Sequence, residues 1–194
     1  MSSVDGLRSL EVSGGRALHD TEASSLVEFA ICLPLLVVLV VGIFDFGGAF
    51  NQKQILNNAM REGARFGASQ PTNDLCTGCS APPSVDAIRY LVDSYLLSAG
   101  VNDCGLGALP IPPSGPPWAY TASTNCAGTM TLTIDRGVPL TETISGAPVV
   151  LLSTQVSVSC PYQWHFNSVV QLVAPGANFA GVAITTNATA VNMD

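Results

Sequence analysis

Positive charge is scarce in this sequence. Lysine and arginine together number 7 in 194 residues, against 14 aspartates and glutamates, and Lys53 is the single lysine. Binding to nucleic acid needs clustered lysines and arginines that neutralise phosphates, so a formal net charge of −7 argues against such a partner. Charged residues make up 11% of the chain, well below the roughly 25% usual in soluble domains. The composition therefore excludes nucleic-acid binding and indicates a lightly charged chain rich in strands and loops.

Groups that carry out catalysis are also few. The two histidines are His19, near the N-terminus, and His165, which stands among aromatic residues and is interpreted as a strand-end or packing residue rather than a general base. The sequence contains neither a glycine-rich phosphate-binding loop nor a paired-carboxylate pattern. We therefore expect no catalytic residue, no cofactor and no metal site, and a protein that is not an enzyme.

Instead of catalytic groups, the sequence has a long hydrophobic run at residues 24–50. Residues 29–44 are uncharged, and a helix needs about 20 apolar residues to cross a hydrocarbon core about 30 Å thick. Glu28 lies near the start of the run and Asp45 near its end, and a carboxylate in such a segment is costly enough to indicate a function. A cleaved signal sequence would have a shorter apolar core, so a transmembrane helix is predicted.

The charges and cysteines around this segment predict its orientation. Arg8 and Arg16 precede it and favour a cytoplasmic N-terminus, although Lys53, Arg61 and Arg65 beyond it weaken that preference. Five of the six cysteines follow the segment, where an oxidising periplasm or exterior would allow disulfides. We expect a bacterial inner-membrane protein with a single span, its N-terminus in the cytoplasm and its C-terminal domain periplasmic or extracellular.

Helical sequence continues beyond the membrane segment to about Ala68. Small residues recur at four-residue spacing there, in the series Ala59, Gly63, Gly67 and Met60, Ala64, Ala68. Such stripes favour close packing of a projecting half-helix against a sheet or a partner helix. The alternative is a membrane helix followed by a separate helix, with a kink near residues 47–48.

The rest of the chain predicts one more helix and a small sheet. The helix is expected from Ser84, as its N-cap, to about Ala99, with apolar positions Val85, Ile88, Leu91, Val92 and Leu96. Residues 101–128 are rich in Gly and Pro and are expected to be irregular. Alternation predicts strands at 129–135, 149–158 and 179–191, the last with Val182, Ile184 and Ala188 inward.

These elements together predict an α+β fold in which a long N-terminal transmembrane helix extends onto a small antiparallel β-sheet. A sheet with one apolar face needs a cover, and the projecting half of the helix supplies it. The expected divisions are a cytoplasmic leader at 1–23, the transmembrane helix at 24–50, its periplasmic extension at 51–68, and a periplasmic α+β domain at 69–194.

The cysteines beyond the span are candidates for structural disulfides. Cys76 and Cys79 form a CxxC motif, but it lies among Pro, Gly, Asn and Ser rather than opening a helix, which favours a disulfide over thiol redox chemistry. Cys126 precedes one expected strand and Cys160 ends another, so they are a plausible second bridge. Zinc binding with Cys104 or Cys126 is the weaker alternative, because no histidine is near.

Three motifs along the first helix resemble one family. They are Glu28-Phe-Ala-x-x-x-Pro-Leu, Gly42-Ile-x-Asp-Phe-Gly and Asn58-Ala-x-Arg-Glu-Gly-Ala-Arg, and they resemble the TadE-like proteins of the tight-adherence (Flp) pilus system. The stretch Val156-Ser-Val-Ser-Cys-Pro-Tyr is similar to the end of that family. The resemblance covers about residues 23–70 and 150–194 and leaves 71–128 uncovered.

This resemblance implies a minor pseudopilin, a membrane-anchored structural component of pilus assembly or a related secretion system. Its partners would be other pilin or pseudopilin subunits, the inner-membrane assembly machinery and, where the leader is cleaved, a prepilin peptidase. Cleavage between Ala23 and Ser24 would make Glu28 the fifth residue, placed to neutralise the new N-terminal amine of a neighbouring subunit. The family usually has glycine where this chain has Ala23. Asp45 is interpreted as an interfacial acid at the outer leaflet.

Two readings from other classes stay open at this point. One is a signal-anchored periplasmic binding or adhesion domain that never enters a filament. The other is a periplasmic thiol-redox enzyme, which would require a reactive pair at Cys76 and Cys79.

Overall fold

The computed structural model describes residues 15–144, 146–166, 171, 176 and 182–193, with side chains from Ser24 onwards. Within these residues, two α-helices, a short 3-10 helix and four strands follow one another. Their bounds are α1 Gly15–Ala68, α2 Pro83–Ser98, the 3-10 helix Leu106–Ala108, β1 Trp118–Ala122, β2 Met130–Ile144, β3 Ala147–Pro161 and β4 Ala183–Val191. The strands form one antiparallel sheet in the order β1-β2-β3-β4. The predicted α+β class, a long N-terminal helix with a small antiparallel sheet, is confirmed.

Helix α1 is a single element of 54 residues, without the alternative break near residues 47–48. It passes through Pro34 and begins at Gly15, so residues 15–23 of the expected leader are helical. Residues 16–23 contain neither proline nor glycine and include the good helix formers alanine, leucine and glutamate, so nothing in them stops the helix. Residues 1–14 of the expected leader lie outside the described residues.

The projecting half of α1 packs on the sheet through its small residues. Both predicted series are buried: Ala59, Met60, Gly63, Ala64, Gly67 and Ala68. A Cβ added at Gly67 would lie 2.7 Å from both Ile88 Cδ1 of α2 and Thr154 Cγ2 of β3. A side chain at this position would require Ile88 and Thr154 to move, so the glycine permits the close approach of α1 to both neighbours.

Three details of the second helix and the excursion after it differ from expectation. Pro83 occupies the first turn of α2, and Ser84 is a buried helical residue rather than the N-cap. Of the predicted apolar face, Leu91 is only half-buried, whereas Val85, Ile88, Val92 and Leu96 are fully buried. The region 101–128 is not wholly irregular, because it contains β1 with alternating burial. This strand is only five residues long and follows Pro116 and Pro117, which conceal its pattern.

The three predicted strands exist, with longer bounds for two of them. Thr154, Val156 and Val158 of β3 are buried on the face covered by α1, as expected. Val182, predicted to point inward, is 44% exposed and precedes β4. Residues 179–181 of the third predicted strand lie outside the described residues.

Strands β2 and β3 extend beyond their neighbours as a two-stranded hairpin over residues 138–152. β1 pairs with β2 only as far as Ile134, and β4 pairs with β3 only as far as Ser153. The main-chain N of Asn192 donates to Leu152 O at 2.9 Å, so the main-chain groups of Leu152 face the β4 side. Its partner Pro139 therefore faces the outer edge of β2, and Pro148, four residues from Leu152, faces the outer edge of β3. Each proline lacks an N–H donor at an open edge.

Candidate functional site

The N-terminal half of α1, residues 24–50, is the largest exposed apolar surface among the described residues. One described helix is long and apolar enough to cross a membrane, with a mean hydropathy of 2.8 in its most apolar window and 6% of that window buried. Large apolar side chains on this half are exposed by 42–78%: Leu26, Val27, Phe29, Ile31, Leu33, Leu35, Leu36, Val37, Leu39, Val40, Ile43, Phe44, Phe46 and Phe50. Side chains so exposed need either lipid or neighbouring helices around them.

Glu28 lies on this apolar surface. Its side chain is exposed, and it forms no ion pair within the described part of the chain. Ser24, four residues earlier on the same helix, is also exposed, whereas the side chain of Ala23 lies outside the described residues. The candidate processing position therefore lies inside α1, one helical turn before the acid.

Asp45, at the other end of the apolar run, is held by the chain itself. The main-chain N of Phe166 donates to Asp45 Oδ2 at 2.6 Å, and His165 Nδ1 lies 3.3 Å from Asp45 Oδ1. The Tyr162 hydroxyl donates to Asp45 O at 3.0 Å. Asp45 is only 5% exposed, because these contacts cover it, and its position at the outer leaflet stays a prediction. We call Asp45, Tyr162, His165 and Phe166 the Asp45 cluster.

Aromatic rings surround this cluster. Trp164 contacts Phe46 edge-to-face at 5.2 Å between ring centroids and Tyr162 at 4.8 Å. Burial and the charge of Asp45 raise the pKa of Tyr162, so its hydroxyl keeps its proton and continues to donate. Sequence reasoning treated His165 as a packing residue and missed this arrangement. The signal was there, because Trp and Tyr are enriched at membrane–water interfaces.

The cluster predicts the outcome of replacing Asp45. Asp45→Ala removes the acceptor of a charge-assisted hydrogen bond, a contact typically worth about 1.5–3 kcal/mol, and leaves the Phe166 N–H without it. We expect hydrogen exchange at 162–166 to accelerate in detergent micelles while exchange in β2 and β3 stays unchanged.

The matched control is Glu62→Ala, which removes an exposed carboxylate on the same helix whose ion pair with Arg65 spans 3.8 Å. It should leave exchange at 162–166 as it was. Equal exchange in Asp45→Ala and the unmodified chain would show that the carboxylate does not hold this segment.

The disulfides agree with one predicted pair and contradict the other. Cys76 is bonded to Cys79, as expected, but Cys126 is bonded to Cys104 rather than to Cys160. The pairing of Cys126 with Cys160 is therefore wrong. Asn102 brings the two bonded residues together, because its Nδ2 donates to Asn125 O at 2.7 Å and its Oδ1 accepts from Cys104 N at 2.9 Å.

The remaining cysteines are free thiols. Cys160 is buried, and Gln52 Nε2 donates to its Sγ at 3.4 Å. Burial raises the pKa of this thiol, which disfavours the reactive thiolate. Cys32 is exposed on the apolar half of α1. Within the described residues no group of three His, Cys, Asp or Glu side chains could hold a metal ion.

A polar cleft of about 400 Å³ opens where α1 leaves the apolar run. Its walls include Asn51 and Gln52 of α1, Asn102 and Asn125 of the excursion, and Cys160 at the end of β3. Amide groups can bind a neutral ligand, but no described pair of side chains here forms a nucleophile with an adjacent base.

Part of the first helix is similar to a known protein family. The model of the TadE-like protein family matches residues 23–65. The matched part is TadE-like. It runs from the candidate processing position, through Glu28 and Asp45, to the residues of α1 that pack on the sheet. No curated protein and no solved structure gives a significant match to the chain.

The TadE-like segment indicates association with a Tad pilus system and a structural role. The suspected family is thereby confirmed for this segment, and the single helix that could span a membrane agrees with a single-pass membrane protein. The match ends at residue 65, so α2, the excursion and the sheet lie beyond it.

Proposed function

We propose that this chain is a minor pseudopilin, anchored in the bacterial inner membrane with its N-terminus in the cytoplasm and residues 51–194 in the periplasm. It would act in a tight-adherence pilus or a related secretion system by packing its helix among those of other subunits or of the assembly machinery. The observation that carries the proposal is that the TadE-like segment 23–65 contains the exposed apolar half of α1 and Glu28, an acid with no ion pair to the described residues.

Glu28 has the position that such assembly needs. In a low-dielectric helix bundle a carboxylate gains much more from an opposite charge than it would in water. Cleavage after Ala23 would create a positively charged amine on Ser24, and a neighbouring subunit shifted along the bundle could place its own Glu28 beside it. The absence of an ion pair to Glu28 within the described monomer leaves its carboxylate available for that contact.

The N-terminal mass of the mature protein tests this proposal. When the full chain is co-expressed with the prepilin peptidase of its own host, we expect a chain that starts at Ser24. Ala23→Gly should be cut at least as completely, because glycine is the residue that the resembling family has at this position, whereas Ala23→Lys should stay uncut.

An intact N-terminus in the presence of active peptidase would remove the pilin-like role of Glu28. The alternative would then be a membrane-anchored periplasmic binding or adhesion domain. The cleft of about 400 Å³ beside Asn51 and Gln52 is the observation that favours it, because ligand pockets of that size are common. In that case deletion of the chain would abolish binding to a ligand without reducing the number of pili.

A further inference from the structure

The segment 162–166, which directly follows β3, packs against the last turns of the apolar run of α1. A Cβ added at Gly42 would lie 3.5 Å from Phe166 Cε2. The ring of Trp164 contacts that of Phe46 at 5.2 Å between centroids, and the main-chain N of Phe166 donates to Asp45 Oδ2. We call residues 162–166 the return segment, because here the chain comes back to the apolar half of α1.

These contacts lie at the depth of the bilayer if α1 spans it. A hydrocarbon core about 30 Å thick takes about 20 helical residues. If the core begins at Glu28, it ends near residue 48, and at about 1.5 Å per residue Gly42 lies roughly 9 Å inside it. If the core ends at Asp45 instead, Gly42 still lies roughly 4–5 Å inside it. Phe166 packs on Gly42, so it reaches the hydrocarbon in both placements.

Side chains of the return segment alternate between two environments. Trp164 and Phe166 line an apolar cavity of about 130 Å³. The full lining of this cavity is Gly42, Asp45, Phe46, Trp164, Phe166 and Val182. Gln163 and His165 line the polar cleft of about 400 Å³ instead. The return segment is therefore amphipathic, as a segment at a membrane surface has to be.

The change from apolar to polar surroundings falls at the same level of α1. The apolar cavity is lined by α1 residues within 42–46, and the polar cleft by α1 residues within 48–55. The boundary near residue 47 agrees with the end of the hydrocarbon core that helix length gives. Trp and Tyr are enriched at such membrane–water interfaces, and the return segment supplies Trp164 and Tyr162 there.

The polar groups at this depth are paired within the chain. Asp45 Oδ2 accepts from the main-chain N of Phe166 at 2.6 Å, and the Tyr162 hydroxyl donates to Asp45 O at 3.0 Å. The main-chain N of Tyr162 donates to Val182 O at 3.0 Å. An unpaired polar group is costly in hydrocarbon, so these bonds make it less costly to place the return segment against lipid.

The apolar cavity is continuous with the exposed apolar half of α1. Phe46 belongs to both, and its side chain is 57% exposed. Val182, on the opposite side of the return segment in the sequence, is also exposed where it lines the cavity. Whatever surrounds the apolar half of α1 therefore also meets the cavity, and a bilayer covers both at once.

We propose that the return segment enters the leaflet nearer the domain and that its apolar cavity receives part of a lipid acyl chain. This contact rests on the membrane anchoring in the proposed function, but on neither the pseudopilin role nor the orientation of the span. A single helix would leave the domain free to rotate about the helix axis, whereas a second contact with the leaflet fixes which side of the domain faces the bilayer. The polar cleft would then open at the level of the headgroups.

The two tryptophans of the sequence make this contact measurable. Trp118 is fully buried in β1 and serves as the internal reference. Its strand partner Ile134 pairs with Val156, which packs on Gly63 of α1. At about 1.5 Å per residue, Gly63 lies roughly 20 Å along the helix beyond Phe50. Trp118 is therefore well outside the bilayer in any placement of the span.

Quenching of tryptophan fluorescence by brominated lipid tests the proposal. The full-length chain is reconstituted in phosphatidylcholine vesicles whose acyl chains carry bromine either near the headgroup or near the methyl end. In Trp118→Phe, the remaining Trp164 should lose about half of its emission to the shallow bromines and less to the deep ones, because a side chain just inside a core about 30 Å thick lies about 10–15 Å from its centre. In Trp164→Phe, the matched control, neither lipid should quench Trp118.

A third tryptophan position reports on α1 itself. Leu36 is exposed in the middle of the apolar run, so Leu36→Trp in a chain without the two native tryptophans should be quenched most by the deep bromines. Circular dichroism of each variant checks that it is folded. If Trp118→Phe does not fold, the difference between the unmodified chain and Trp164→Phe gives the signal of Trp164.

The outcomes separate this lipid contact from the anchoring on which it rests. Quenching of Leu36→Trp with no quenching of Trp164, or quenching of Trp164 by aqueous iodide instead, would leave α1 in the membrane and overturn the lipid contact. Absence of quenching in Leu36→Trp would remove the anchoring and the lipid contact together. In the native membrane a photo-crosslinker in place of Val182 should label lipid, and crosslinks to protein only would show that a neighbouring subunit fills the cavity and would overturn the proposal.

Discussion

Replacing Arg136 with methionine is expected to lower the free energy of unfolding by about 3–5 kcal/mol. The guanidinium is completely buried where the end of α1, the start of α2 and strand β2 meet. Its Nη2 donates to Gln70 O at 2.7 Å and to Pro71 O at 3.1 Å. Its Nη1 donates to Ser84 Oγ at 2.6 Å and lies 3.5 Å from Asp74 Oδ1. Methionine fills part of the volume but leaves these acceptors and the Asp74 charge without a donor.

Urea unfolding in detergent, followed by circular dichroism, measures this effect. Arg65→Met is the control, because it removes an arginine of α1 whose side chain is 75% exposed, and a change within about 0.5 kcal/mol is expected. If both variants unfold at the same urea concentration as the unmodified protein, the hydrogen bonds of Arg136 do not stabilise the packing of the end of α1 on the sheet.

The second large effect is expected from removing the Cys104–Cys126 disulfide. It joins residues 22 apart and closes the excursion between α2 and β2, and a loop of that length restricts the unfolded chain by about 3 kcal/mol in the chain-entropy account. Cys104 is also fully buried, so Cys104→Ser with Cys126→Ser places a hydroxyl in the core. We expect the double variant to unfold at clearly lower urea concentration and the excursion to become the first site of proteolysis.

Cys160 provides the control for this prediction. It is in no disulfide, so Cys160→Ser should cost less than the double variant, and reducing agent should shift the unfolding of this control as much as that of the unmodified chain. Its buried thiol, whose pKa is raised by burial, should also resist iodoacetamide in the folded protein. Rapid alkylation of Cys160 at neutral pH, or equal stability of the double variant and the unmodified chain, would contradict the pairing seen in the structure.

Features that repeat locally along the chain were predictable from the sequence. Three such features lie where they were expected. They are the apolar run, the small residues at four-residue spacing in 59–68, and the alternation in 154–158. The family resemblance also came from contiguous motifs within 23–65, which the family model matches. In these cases the residues that determine the local structure lie within a few positions of one another in the sequence.

The contacts that could not be predicted join distant parts of the chain. Asp45 meets residues 117 to 121 positions later, and no local pattern announces which segment will cover it. Cys126 was expected to pair with Cys160 at the end of a strand, whereas its bond to Cys104 depends on how Asn102 folds the excursion back. The Ser84 hydroxyl was assigned to a helix cap, but buried Arg136, 52 residues away, takes it instead. Long-range partners such as these are set by packing.

The two prolines of the β2–β3 hairpin oppose aggregation of crowded copies of this protein. A membrane confines its proteins to a plane, so the open sheet edges of adjacent molecules would meet often. Two such edges could pair into one continuous β-sheet. Pro139 and Pro148 each lack a main-chain hydrogen-bond donor at an open edge, and this interrupts such strand pairing. Any association between copies then relies on side-chain contacts rather than on main-chain strand pairing.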